Sequence, residues 1–182
     1  MLKMLAVAGF GLLAAGCATL YPDDCARFEQ EQKNTNYATV YKLSKTDTEA
    51  AARNFKALPR RRSAAARLYK IRVSSHQIKP CNHLLIHKEV YLQRINNPRL
   101  VFVETREFYA EDGTLIASKR EIVTAQLKKT GYYVASVPLP IPQAAPPGKY
   151  RIVSKLSYKW KGRKRKVFLA KSSIAFRITA KK

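Results

Sequence analysis

Acidic residues run out early in this 182-residue chain. Glu121 is the last of twelve, and from Ile122 to Lys182 there is no Asp or Glu against fifteen Lys and Arg. A net charge of +23 repels itself and attracts polyanions. Also missing are a Gly-rich phosphate loop, Gly-x-Ser-x-Gly and His-Glu-x-x-His, which removes the motif-bearing routes to nucleotide, serine-hydrolase and zinc-protease chemistry. Histidine is confined to His76, His83 and His87, so a Ser-His-Asp arrangement would need Ser and Asp brought to that one stretch. No catalysis and no cofactor are expected. There is no repeat, no low-complexity tract and, past the first residues, no apolar run long enough for a transmembrane helix.

What is present suffices for a globular core: 46% hydrophobic and 26% charged residues. Glu104, Glu107 and Glu121 have the best strand context among the acids. On one exposed β face they are expected to partner Arg106 or Lys119 rather than act as acid and base. His76, Cys81, His83 and His87 fall close together, and soft and imidazole ligands suit copper or zinc. They match no fixed metalloprotein spacing, so no metal site is assigned. His83 and His87 are expected on one face of a strand or loop edge.

The N-terminus begins with Lys3 and an almost wholly apolar run from Met4 to Leu13, too short to span a bilayer. It closes on Leu12-Leu13-Ala14-Ala15-Gly16-Cys17, which resembles the lipobox of bacterial lipoproteins. The resemblance implies a signal peptide over 1–16, cleavage before Cys17, diacylglycerol on its sulfur and an acylated amine. Ala18 in place of an aspartate there implies outer-membrane sorting and a body on the periplasmic face. Two cysteines then remain in an oxidising compartment, and a Cys25–Cys81 disulfide is expected. The alternative is two free thiols, with one on a metal. An exported chain rarely meets nucleic acid, so none is expected as a partner. The expected polyanions are lipopolysaccharide phosphates, anionic phospholipid or peptidoglycan carboxylates.

Along the chain, Ala18 to Asp24 reads as a tether, with Asp23 or Asp24 capping a helix from Cys25 to about Lys33. Thr46-Asp47-Thr48-Glu49 matches a capping box and predicts a helix to about Leu58, stopped by Pro59. Arg60-Arg61-Arg62 then Ala64-Ala65-Ala66 suggests another turn or two of helix. Tyr69 to Val73 alternates as a half-buried strand does.

From about Leu84 the pattern becomes short strands with turn signals. Val90–Arg94 and Arg99–Tyr109 are strands, and Glu111-Asp112-Gly113 is a hairpin signal. Leu115–Leu127 returns with a bend near Glu121-Ile122. Tyr132–Leu139 follows, and Pro138, Pro140 and Pro142 require an edge there. Alternation puts Tyr150, Ile152, Ser154, Leu156, Tyr158 and Trp160 inward. Val167–Ile178 is the last strand, with Phe168, Ala170, Ile174, Phe176 and Ile178 inward.

The expectation is a mainly β chain: an antiparallel immunoglobulin-like β-sandwich over 83–182, behind a short helical N-terminal segment over 17–82. The approach Pro-Pro-Gly-Lys-Tyr-Arg-Ile resembles that to a late strand in immunoglobulin-like and fibronectin-like sandwiches. There a Tyr after a turn bonds back to backbone, and Tyr150 would be that residue.

Two roles follow. One is a non-catalytic interaction or scaffold module of a cell-envelope assembly, docking a protein partner, with the edge beside Pro138–Pro142 a place for strand addition. The other is a binder of anionic envelope polymer, lipopolysaccharide or peptidoglycan. It would use a cationic strip of Arg151, Lys155, Lys159, Lys161, Arg163, Lys164, Arg165, Lys166 and Lys171, with Trp160 near the tip for stacking on a sugar.

Overall fold

The computed structural model describes residues 24–180. Cys17 and most of the tether lie outside the described residues. Helices α1 (Asp24–Asn34) and α2 (Lys45–Asn54) accompany nine strands: β1 (Lys42–Ser44), β2 (Ala64–Val73), β3 (Gln77–Ile78), β4 (Asn82–Arg94), β5 (Leu100–Ala110), β6 (Leu115–Ile122), β7 (Gly131–Ile141), β8 (Gly148–Trp160) and β9 (Lys166–Ile178). One sheet has the order β1-β7-β4-β2 and the other β3-β9-β8-β5-β6. Every pairing is antiparallel except the two-residue β3–β9 contact. The expected mainly β, immunoglobulin-like sandwich is what forms. Tyr150 also behaves as expected, its hydroxyl donating to the Pro146 carbonyl at 2.6 Å.

The sandwich begins before the expected boundary at residue 83. Ala64-Ala65-Ala66 does not form a helix; it opens β2, which pairs with β4 from Ala64↔Arg94 to Val73↔Ile86. Alanine favours a helix locally. Here Ala64 and Ala65 are buried against the neighbouring strand, and pairing overrides that preference. Helix α2 starts earlier and stops sooner than expected. Its cap is Ser44, whose Oγ accepts from the Asp47 amide, and the Ser44 hydroxyl donates to the Asp47 carboxylate at 2.6 Å. The chain leaves the helix at Phe55, which stacks on Tyr91 with ring centroids 5.4 Å apart.

In β9 the expected phase fails at one place. The register shifts where Leu156↔Ala170 gives way to Ser157↔Phe168, so Leu169 is the extra residue. Leu169 packs against the core and Phe168 is left 61% exposed. The bend in the returning strand is where the sequence puts it: β6 ends at Ile122, and Val123 and Leu127 turn inward to be buried. Pro138 and Pro140 also sit as required. Strand β1 covers β7 only at Tyr132–Val134, so the proline segment is an open edge, paired on its other side with β4.

The interior is divided. One apolar cluster includes Val90, Leu92, Leu100, Phe102 and Leu156. The other includes Leu84, Ile86, Ile141, Ile152 and Phe176. Between them lies a polar layer. Lys88 follows Leu84 and Ile86 on β4, Glu104 follows Phe102 on β5, and Ser154 separates Ile152 from Leu156 on β8; all three are buried.

Candidate anion-binding surface

Outward-facing residues of β8 carry the expected strip, but its lower half is occupied. Arg151 lies over the Tyr109 ring, 5.2 Å from its centroid. Lys155 donates to Glu107 at 2.8 Å, and the Tyr109 hydroxyl donates to the same carboxylate at 2.7 Å. These two bonds, Lys155 first, hold the Glu107 carboxyl below the usual range. Lys171 stands directly across from Lys155, and Lys166 across from Lys159. Trp160 packs against the apolar core.

At the upper end the strip meets loops that the sequence does not show to be neighbours. Strands β2, β5, β7 and β9 begin at this end, and β4 and β8 finish there. The connections at this end are 56–63, 95–99, 123–130 and 161–165. They carry Lys56 and Arg60–Arg62, then Arg99, then Lys128 and Lys129, then Lys161, Arg163, Lys164 and Arg165. Those four loops hold eleven cations, all exposed, and no acid; helix α2, which opens beside the start of β7, adds Asp47 and Glu49 against Lys45 and Arg53. The triple arginine joins the hairpin because β2 lies against β9: Arg62 and Ala64–Arg67 line one hollow with Val167 and Phe168.

The opposite end is different. Helix α1 is tied there, with Cys25 bonded to Cys81 just ahead of β4. Asp24, Glu29, Glu31, Glu111 and Asp112 are the acids at that end among the described residues, balanced by Arg27, Lys33, Lys79, Lys149 and Arg177. The molecule is therefore electrically polarised along its strands.

The acids with strand context do not share one exposed face. Glu104 is buried between the sheets, and Lys88 Nζ donates to its Oε2 at 2.6 Å. Tyr41, Tyr69 and Thr39 also donate to it. Burial alone would raise the Glu104 pKa; Lys88 and the tyrosines outweigh it and hold the carboxyl below its ordinary value. Burial pushes Lys88 down, against the pull of Glu104, and pushes the Tyr41 and Tyr69 hydroxyls well up. Glu121 takes the partners expected of it, Arg106 at 2.7 Å and Lys119 at 3.6 Å.

The histidine stretch is likewise tied up. Cys81 is in the disulfide, His83 lies against Phe28 and Tyr37, and His87 bonds Ser136 at 2.9 Å. Among the described residues no three His, Cys, Asp or Glu gather as a metal site. A hollow of about 860 Å³ lies on the outer face of the smaller sheet, lined by Lys42, Arg72, His87, Glu89 and Ser136 among others. Its arginine is paired with Glu89, which also accepts from the Tyr132 hydroxyl.

No protein-family model and no curated protein matches the sequence. Among solved structures, the chain is similar to the C-terminal domain of wzt, at 11% identity over 79% of this chain and 80% of that one, with a TM-score of 0.45. It is also similar to a CARDB domain from Pyrococcus furiosus solved in complex with di-metal ions, at 12% identity over 65% and 94%, with a TM-score of 0.37. The sporulation control protein Spo0M of Bacillus subtilis is a third, at 12% identity over 66% and 50%, with a TM-score of 0.34. Likenesses this low carry no functional weight, and the sandwich rests on its own strand pairing.

Proposed function

We propose that this chain is a lipid-anchored, non-catalytic binding module of the cell envelope. In this reading Cys17 carries the acyl chains, and the body stands on the periplasmic face of the outer membrane as an interaction or scaffold module of an envelope assembly. Two or more acyl chains give stable anchoring where one would be marginal. The Cys25–Cys81 disulfide fits an oxidising compartment. Glu104 and Glu121 fit a structural role better than a catalytic one, because each is held in an ion pair.

The observation that carries a binding role is the cationic end, where four separate loops present eleven cations and no acid. It also favours the second reading, in which the ligand is an anionic envelope polymer, lipopolysaccharide or peptidoglycan, rather than a protein. Salt separates the two. A polyanion complex weakens steeply as ionic strength rises, and a docked interface with an apolar centre weakens less. The anchor is tested by mass spectrometry of the N-terminal peptide from membrane fractions. The expected result is a chain starting at an acylated Cys17; an unmodified Cys17, or a start elsewhere, overturns it.

A further inference from the structure

We infer that the cationic end binds the carboxylates of peptidoglycan and faces away from the bilayer that holds the N-terminus. The orientation rests on the anchored reading above. The binding surface stands on the loops alone.

Distance supports the orientation. Thirteen-residue β8 spans about 40 Å at about 3.3 Å per residue. The seven steps from Cys17 to Asp24 reach at most about 25 Å. The end nearest the tether carries five acids against five cations, so an anionic leaflet does not draw it in as it would the opposite end. Screening confines headgroup attraction to about 8–10 Å at physiological salt. The far loops therefore feel that leaflet only if the body lies flat on it. The outer face of the larger sheet also carries Arg151, Lys159, Lys166 and Lys171, with only Lys155 held by an acid, so the flat posture is the competing arrangement that the vesicle comparison below decides.

The shape of the surface selects the ligand. A compact phosphate headgroup suits donors that converge on one pocket. Here two hollows of about 290 Å³ could each admit a phosphate, but of the eleven cations only Arg62 lines one and only Lys128 the other. The cations stand instead on separate loop tips. Six of the eleven are arginines, whose planar forks match carboxylates and phosphates alike, so their spacing rather than their donor type selects the ligand. Spaced single contacts of this kind fit a polymer that repeats its carboxylates at intervals, and that polymer lies across the periplasm from the anchor.

The test uses the full-length acylated protein in phosphatidylethanolamine–phosphatidylglycerol vesicles, with purified peptidoglycan sacculi as probe. Three proteins are compared: the parent, Arg60→Ser/Arg61→Ser/Arg62→Ser, and the charge-matched Lys79→Ser/Lys149→Ser/Arg177→Ser at the opposite end. Thermal unfolding confirms that all three are folded. The loop variant is expected to lose at least about tenfold in sacculus affinity, and the control less than about twofold.

Equal losses in both variants, or no loss in either, overturn the binding site. Retention of parent-bearing vesicles on sacculi is expected to match that of unanchored Cys17→Ser protein. If anchoring lowers it to the level of the loop variant, the headgroups occupy the loops and the orientation is overturned. Absent acylation with intact sacculus binding defeats the anchor alone. Intact acylation without sacculus binding defeats this inference alone.

Discussion

Lys88 and Glu104 meet at 2.6 Å in the centre of the sandwich, both side chains fully buried, one from each sheet. Each apolar cluster ends at this pair. A buried ion pair adds little net stability compared with a well-packed apolar pair, because both charges lose their water. Losing one partner is different, since it strands the other charge. The hydroxyls of Tyr41, Tyr69 and Thr39 complete the acceptor sites on Glu104. The Lys88–Glu104 pair is thus satisfied, while the Nε of neighbouring buried Arg106 has no partner among the described residues.

Glu104→Leu should destabilise the fold by about 3–5 kcal/mol in urea unfolding, because Lys88 is left buried and unpaired. Lys88→Met/Glu104→Leu should recover most of that loss. A double variant as weak as the single one would show that the tyrosine bonds, not the ion pair, carry the cost.

Acid should unfold the protein through Glu104 and Glu121. Both carboxyls titrate below their ordinary value of 4.5 in the folded state. Their stabilisation is complete above that value and is lost as pH falls through the depressed folded values. In the alkaline range Tyr41 and Tyr69 act in the opposite sense. Their folded values lie well above 10.0, so their contribution is lost as pH climbs past 10.0. Glu104→Gln should flatten the acid limb of a stability-against-pH curve. An unchanged slope would place the titration elsewhere.

Reduction of Cys25–Cys81 should lower stability by about 4 kcal/mol, the chain-entropy value for a bridge of this span. The loss should be partly local. Helix α1 buries only Phe28 besides Cys25, so its amides should exchange first while those of β4 and β5 stay protected. Uniform loss of protection in reducing buffer would refute the local picture.

Pro138→Val/Pro140→Val should promote self-association. The Ile141 carbonyl accepts from the Cys81 amide on the β4 side, so residues 138 and 140 point their nitrogens outward. Valine would add two donors to an edge now lacking them. Light scattering should show a concentration-dependent mass increase over the parent. A variant that stays at the parent's mass would mean that the edge is protected by something other than proline.

Much of the sandwich was readable from alternation and turn residues: the hairpin at Asp112-Gly113, the bend at Ile122, the prolines of β7 and the Tyr150 corner. Ala64–Ala66 misled because the local preference of alanine is helical and its partner, β4, lies more than fifteen residues on. Phe168 misled because one inserted residue reverses every phase before it, and a bulge has no fixed sequence mark. The polar layer did leave a trace. Lys88 keeps phase with Leu84, Ile86, Val90 and Leu92, and Glu104 with Leu100 and Phe102; two opposite charges on inward phases point to a buried pair. The cationic end left none. Arg60–Arg62 and the 161–166 hairpin are a hundred residues apart, and only the packing of β2 on β9 joins them.

The disulfide at the foot of β4 also sets how the molecule bears tension. Any pull on the chain ahead of Asp24 passes through Cys25 into Cys81 and then along β4, which is flanked by β2 on one side and β7 on the other. Ladder bonds run perpendicular to the strands. With the far loops held fast, that load is a shear, shared by both ladders at once instead of peeling them rung by rung.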